Sequence, residues 1–230
     1  MTTGDGWTAA VRDRLAPGRL LPLGTAAEGT WLAERAAREV LLRAASAVRG
    51  AVPGALRIGA ADGGAGDEAL PVPADGPFPV PPGGLPPGPL RIDAEFATVA
   101  GRPLPETAEE VRAALLAAAA GLGLAVTEAD LRVTDLLDRA PAGEPAPPPP
   151  GRTSPATDDP VALAVLRVPG VAGVTDALGP PVHRGPRGVR VECAVTAGRP
   201  PAEVARAART AAAAAAPSGT AVTVLVTELR

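Results

Sequence analysis

Lysine, asparagine, glutamine and tyrosine are absent from the 230 residues, and histidine and cysteine occur once each, as His183 and Cys193. Without lysine there is no Schiff-base amine and no P-loop. Without a second cysteine there is no disulfide, CxxC pair or thiolate zinc site. Any metal site would have to be almost all carboxylate. The aromatics Trp7, Trp31, Phe78 and Phe96 are too few for a base-stacking platform. These absences weigh against an enzyme. The start, Met1 to Trp7, lacks the basic and apolar regions of a signal peptide. The longest apolar run, Ala113 to Val126, is shorter than the roughly 20 residues that span a bilayer. A cytosolic, soluble chain without direct membrane insertion is expected.

What is abundant has a bland source. Alanine supplies 51 residues, glycine and proline another 56, and all 22 basic residues are arginine. Their codons are GC-rich, so the bias reads as a GC-rich, actinobacterial genome and says nothing about the task. Net charge is −3, too small to imply a nucleic-acid or membrane-surface partner. Residues 1–157 carry 14 Arg against 19 acids, and residues 158–230 carry 8 Arg against 6 acids, so the two parts attract weakly.

Two segments resist regular structure. Residues 62–89 mix glycine and proline with few apolar anchors, and are expected to form a mobile surface insertion. Residues 139–157, with Pro147 to Pro150 in a row, read as a semi-rigid linker. Around them runs an internal repeat. Val52-Pro53-Gly54 answers to Val168-Pro169-Gly170, each after a helical stretch. The alternating strand Leu90 to Phe96 answers to Val189 to Val195. Each strand meets a Gly-Arg-Pro turn, at 101–103 and 198–200, that opens an alanine-rich helix. Each helix leads to a similar closing strand, Val133-Thr134-Asp135-Leu136 and Val226-Thr227-Glu228-Leu229. Five landmarks in one order indicate a tandem duplication.

Local physics fills in the units. Leu90, Ile92, Ala94 and Phe96 alternate with Arg91, Asp93 and Glu95, which predicts one buried and one wet face. Val189, Val191, Cys193 and Val195 repeat that alternation, which turns Arg190 and Glu192 outward. Helix 106–120 has Ala108, Val111, Leu115 and Ala118 as its apolar stripe, and helix 31–49 has Leu32, Ala36, Val40, Ala44 and Val48. The expected fold is α+β: two tandem helix-strand-strand-helix-strand units joined by the Pro-rich linker. Each unit would be a small mixed sheet covered on one face by helices, with the other face open to a partner. The division is 1–24 as an N-terminal segment, 25–138 as copy one with insertion 62–89, 139–157 as linker and 158–230 as copy two. Copy two is short and lacks aromatics, so support from copy one or another chain is expected.

The helix into Val52-Pro53-Gly54, the strand Leu90 to Phe96, the turn Gly101 to Glu106 and the strand Leu131 to Leu136 together resemble the alkaline shock protein family of the bacterial envelope stress response. The resemblance covers about 30–137, and more weakly 158–230. It implies a non-catalytic cytoplasmic protein that self-associates, a possible homo-oligomer. Its implied partners are related alkaline-shock-type proteins and a small integral-membrane protein, which would hold it at the inner face of the cell membrane. The truncated first helix of copy two and the insertion at 62–89 depart from the pattern.

Individual residues give no catalytic, cofactor or metal site. His183 begins the basic stretch His183-Arg184-Gly185-Pro186-Arg187-Gly188-Val189-Arg190, read either as an anion contact or as a solvated hairpin tip. No aromatic is interleaved and no glycine-rich turn leads into a helix, which favours the tip. Cys193 has inward parity and reads as a small buried hydrophobe. Asp93 and Glu95 share a face at the spacing of a two-carboxylate hydrolase, but Arg91 beside them fits a charge-paired solvent face better. Glu106, Glu109 and Glu110 belong to a helix start, and Gly121-Leu122-Gly123 to a helix end. Ala211 to Ala216 is a nearly featureless helix face. Trp7, Val11 and Leu15 mark a short amphipathic helix, expected to pack on its own domain. The first functional reading is a non-enzymatic scaffold. The second is a small-molecule-binding regulatory module using the cleft between the copies. An enzyme, resting on Asp93 and Glu95, is third.

Overall fold

The computed structural model describes residues 18–25, 28–61, 78–139 and 154–230. The fold is α+β, and its strands form two separate mixed sheets. The elements in chain order are β1 (Leu20–Pro22), β2 (Thr30–Ala33), α1 (Glu34–Ser46), β3 (Ala51–Ala60), β4 (Leu90–Val99), α2 (Leu104–Leu122) and β5 (Val126–Leu137). They continue with α3 (Pro160–Leu166), β6 (Val171–Val174), β7 (Val182–Gly185), β8 (Gly188–Val195), α4 (Pro201–Ala215) and β9 (Val222–Leu229). The expected amphipathic helix at Trp7 to Leu15 and the proline run at 147–150 lie outside the described residues.

The smaller sheet has the order β3-β4-β5. β3 and β4 are antiparallel, and β4 and β5 are parallel across the helix α2. Alternation builds it: Leu90, Ile92, Ala94 and Phe96 are buried, as are Leu56, Ile58, Val111, Leu115 and Ala119. The Gly-Arg-Pro turn needs glycine, because Gly101 sits at φ +108°, and Pro103 then caps α2. The bidentate pair from Arg102 to Glu110, at 2.9 and 2.7 Å, ties the turn to the helix's second turn. Gly123 ends α2 at φ +81°, its N–H directed to the carbonyls of Ala119 and Ala120, the helix end that the Gly-Leu-Gly motif predicts.

The larger sheet has the order β1-β2-β9-β8-β6, with β7 also on β8. β6 and β8 are antiparallel, and β8 and β9 are parallel across α4. α4 lies along β9 and β2 and packs against α3. Asp159 caps α3 by accepting from the N–H groups of Val161 (2.9 Å) and Ala162 (3.5 Å).

Three expectations need correction here. Residues 31–33 belong to a strand: Thr30, Trp31 and Leu32 stand opposite Val224, Leu225 and Val226, and the helix starts only at Glu34. This strand, assigned to 25–138 by its place in the chain, thus extends the sheet of 158–230, and the division between the two compact units falls after Ala36. The insertion at 62–89 is not loose at its end. Leu20 N–H donates to Gly83 O (2.9 Å), Leu85 N–H to Leu20 O (2.8 Å), and Trp31 Nε1–H to Leu85 O (3.2 Å). Finally, the larger sheet does not leave its second face open. Phe78, Val80 and Leu178 pack on a buried cluster of Leu20, Trp31, Ala33 and Leu225.

Phe78 is held from two sides. The Arg209 guanidinium lies 4.7 Å from its ring centroid, and the ring sits so close to Gly29 that a Cβ there would come within 2.8 Å of it. Gly29 itself has φ +58°. Phe78→Ala should therefore cost about 2 kcal/mol, less than a fully buried phenylalanine because the ring is partly exposed. Urea unfolding followed by tryptophan fluorescence checks this, and an unchanged midpoint would show that the segment contributes nothing. Deleting 62–85 removes the same contacts and should be more damaging still.

Candidate functional site

On β8, alternation aims Glu192 outward, and the structure instead buries it. Its side chain is fully buried. It lies in a cross-strand row with Leu225 and Trp31, beside the apolar cluster. The stretch between β6 and β7, Thr175 to Pro181, folds over it: Leu178 N–H donates to Glu192 Oε2 (2.9 Å) and Glu192 N–H to Pro181 O (2.9 Å). Arg190 Nη2 stands 3.4 Å from Oε1. Burial pushes the Glu192 carboxyl up to about 7, against the lowering effect of the Leu178 N–H and of Arg190, with Asp176 adding to the rise. The sequence signal for this cover is Leu178, an apolar residue in a loop otherwise rich in glycine and proline.

The other candidate residues are mostly occupied. His183 is exposed on β7 opposite Arg190. Arg184 forks onto Asp159 at 2.6 and 3.1 Å, which holds the Asp159 carboxyl below its ordinary value. With Arg190 at Glu192, two of the four basic groups in the stretch serve internal pairs. Cys193 is fully buried between Val174 and Val226 on neighbouring strands, and burial pushes its thiol up to about 12, the wrong direction for a nucleophile. His183 and Cys193 lie on adjacent strands of one sheet with opposite exposure, so no dyad forms. Among the described residues, no group of three or more His, Cys, Asp or Glu side chains could hold a metal ion.

In the smaller sheet the charged face is an ion-pair ladder. Arg57 stands opposite Asp93, Asp93 opposite Asp130 and Glu95 opposite Arg132. Arg91 Nε reaches Asp93 at 3.3 Å and Asp130 at 3.9 Å, and Arg132 contacts Glu95. The ladder lines an open depression of about 340 Å³. General acid catalysis needs a carboxyl kept neutral by burial or by a like charge beside it. Asp93 and Glu95 are part-exposed, and each has an arginine neighbour, so the geometry does not set them up as a catalytic pair. Glu109 pairs with Arg112 and Glu110 with Arg102, so these acids do structural work beyond the helix dipole.

The edge of that sheet is a different kind of feature. β5 is its outer strand, twelve residues long, and Val133 and Leu136 are exposed on it, as is Leu104 at the start of α2. Comparison with protein-family models, curated proteins and solved structures found no match.

The Glu192 site makes a signed prediction. In the unfolded chain the carboxyl ionises near 4.5, and in the folded chain only near 7. Between those values the native state binds the extra proton, so its stability falls as pH rises, by at most about 3 kcal/mol, and levels off above pH 7. The difference in unfolding free energy between E192Q and wild type should shift in favour of glutamine from pH 4.5 to pH 8. A difference that stays constant with pH would contradict the buried carboxyl.

Proposed function

We propose that the chain is a non-enzymatic scaffold or adaptor of the alkaline-shock type, built from two duplicated units and working through protein–protein contacts. The observation that carries this reading is the edge of the smaller sheet. It offers an extended strand with exposed apolar side chains, whereas Arg91, Asp93 and Glu95 on the neighbouring strand are engaged in ion pairs. Exposed edges and apolar patches are what interaction surfaces are made of. The duplication is supported by the repeated landmarks and by shared connectivity. In each sheet an antiparallel strand pair is followed by a helix and then a parallel third strand: β3, β4, α2, β5 in one, and β6, β8, α4, β9 in the other.

Among the described residues no helix is long and apolar enough to cross a membrane. In this reading the chain is cytoplasmic and reaches the inner face of the cell membrane through a small integral-membrane partner. Affinity capture of the tagged full chain from native membranes, read by mass spectrometry, tests it. Related stress proteins and a small membrane protein should co-purify, and Leu136→Arg should reduce their recovery several-fold. Capture of neither class would remove the basis for the scaffold.

A further inference from the structure

We infer that two copies of this chain pair through β5, antiparallel about a twofold axis at Leu131, to join their smaller sheets into one. This deepens the scaffold reading and rests on it. β5 carries neither proline nor glycine, so no residue type in it removes a ladder donor or weakens the strand. The opposite edge, β3, is blunted by Pro53 and by a bulge between Pro53 and Leu56. Within β5 the ladder to β4 is regular from Glu128 to Val133 and irregular at both ends. Two of its backbone groups are held by side chains: Ala129 O accepts from Arg112 Nε (3.3 Å), and Leu136 N–H donates to Asp135 Oδ1 (2.8 Å).

The second copy is chosen by register. Antiparallel pairing centred on Leu131 sets Leu131 against Leu131, Ala129 against Val133 and, further out, Val126 against Leu136. The side of the strand shared with α2 is then apolar throughout. On the other side Asp130 falls opposite Arg132 of the second copy, twice by symmetry. Both side chains project into solvent, at 70% and 74% exposure, so they can meet without rearrangement. Asp130 already neighbours Arg91, and Arg132 already contacts Glu95. Pairing links them into a chain of alternating charge, Arg91–Asp130 of one copy to Arg132–Glu95 of the other. A register centred on Asp130 pairs Glu128 with Arg132 but sets two Asp130 carboxylates face to face at its centre, and one centred on Arg132 sets two guanidinium groups face to face. Shifting by one residue puts charge against the apolar row. Only the Leu131 register satisfies both faces.

A contact confined to one strand from each copy belongs with weak, transient interfaces, so self-association at roughly tens of micromolar is expected. Sedimentation equilibrium of the full chain tests it with two charge reversals. Arg132→Asp sets a second carboxylate against Asp130, and Asp130→Arg sets a second guanidinium against Arg132. Each variant alone should therefore raise the dimer dissociation constant about tenfold or more. In an equimolar mixture of R132D and D130R, the mixed dimer has opposite charges at both 130-to-132 contacts, and it should regain the wild-type constant. A second readout does not depend on these reversals: Leu131→Cys should link two chains through a short bismaleimide, with a silent wild type because Cys193 is buried. A wild type monomeric to about 1 mM with no cross-link would overturn the pairing. A dimer indifferent to both reversals would overturn it as well and would leave the membrane-capture result to decide the scaffold reading separately.

Discussion

The parallel pairing of β2 with β9 is the contact on which the larger sheet depends. It joins a segment near the start of the chain to its last strand, and sets Trp31 opposite Leu225. Contacts so distant in sequence gain nothing until a long loop has closed, so they must return enough burial to offset that entropy. Among the described residues Trp31 is the larger of the two aromatics buried outright, and its burial supplies about 4–6 kcal/mol gross. With so few large side chains, the sheet has little else of that size. The segment from Phe78 to Leu85 then covers Trp31, and Leu178 closes over the next strand. Glu192 is buried because that cover extends past the end of the apolar row.

This explains why identical alternation leads to opposite outcomes. Arg91, Asp93 and Glu95 on β4 and Arg190 and Glu192 on β8 follow the same inside–outside rule in sequence. On β4 the charged face remains in water among arginines. On β8 the same parity ends under a strap of glycine and proline. The rule reports which face is apolar, and cannot report that a distant loop will cover the polar one. The local elements are legible for the same reason: strand 90–96 lies within β4, helix 106–120 within α2, and the Gly-Arg-Pro turns precede α2 and α4, because propensity, parity and capping are short-range. Leu32 reads locally as helix because it continues the spacing of Ala36 and Val40, and Trp31 beside it is read with it. Their strand conformation is imposed by β9, which no local window contains.

Arginine as the sole cation also has structural consequences. Its planar fork makes two bonds to one carboxylate, whereas an ammonium makes a point contact. Asp159 with Arg184 and Glu110 with Arg102 both use the fork, the first to hold the start of α3 to β7, the second to hold the turn before α2 to its helix. Arg209 uses the flat face of the group over Phe78. The arginine bias thus serves pairs that lysine would serve less well. The basic stretch around His183, which in sequence admits an anion contact, is partly accounted for by such pairs.

The edges of the two sheets are managed unequally. In the larger sheet β1 has three residues and ends in Pro22, and residues 83–85 bond to Leu20. On the far side β6 and β7 are four residues each and share the border of β8 between them. Short strands, a proline and a covering segment are ordinary ways to prevent chance pairing. In the smaller sheet β3 has its own proline and bulge. Among the described edge strands, β5 is the longest and carries no proline, its irregularities fall outside the regular stretch 128–133, and within that stretch apolar residues alternate with Asp130 and Arg132. A single proline at a solvent-facing position would blunt such an edge at small cost to the fold. That every other described edge is blunted or short while this one keeps its length and its charge pattern is what the proposed pairing through β5 rests on.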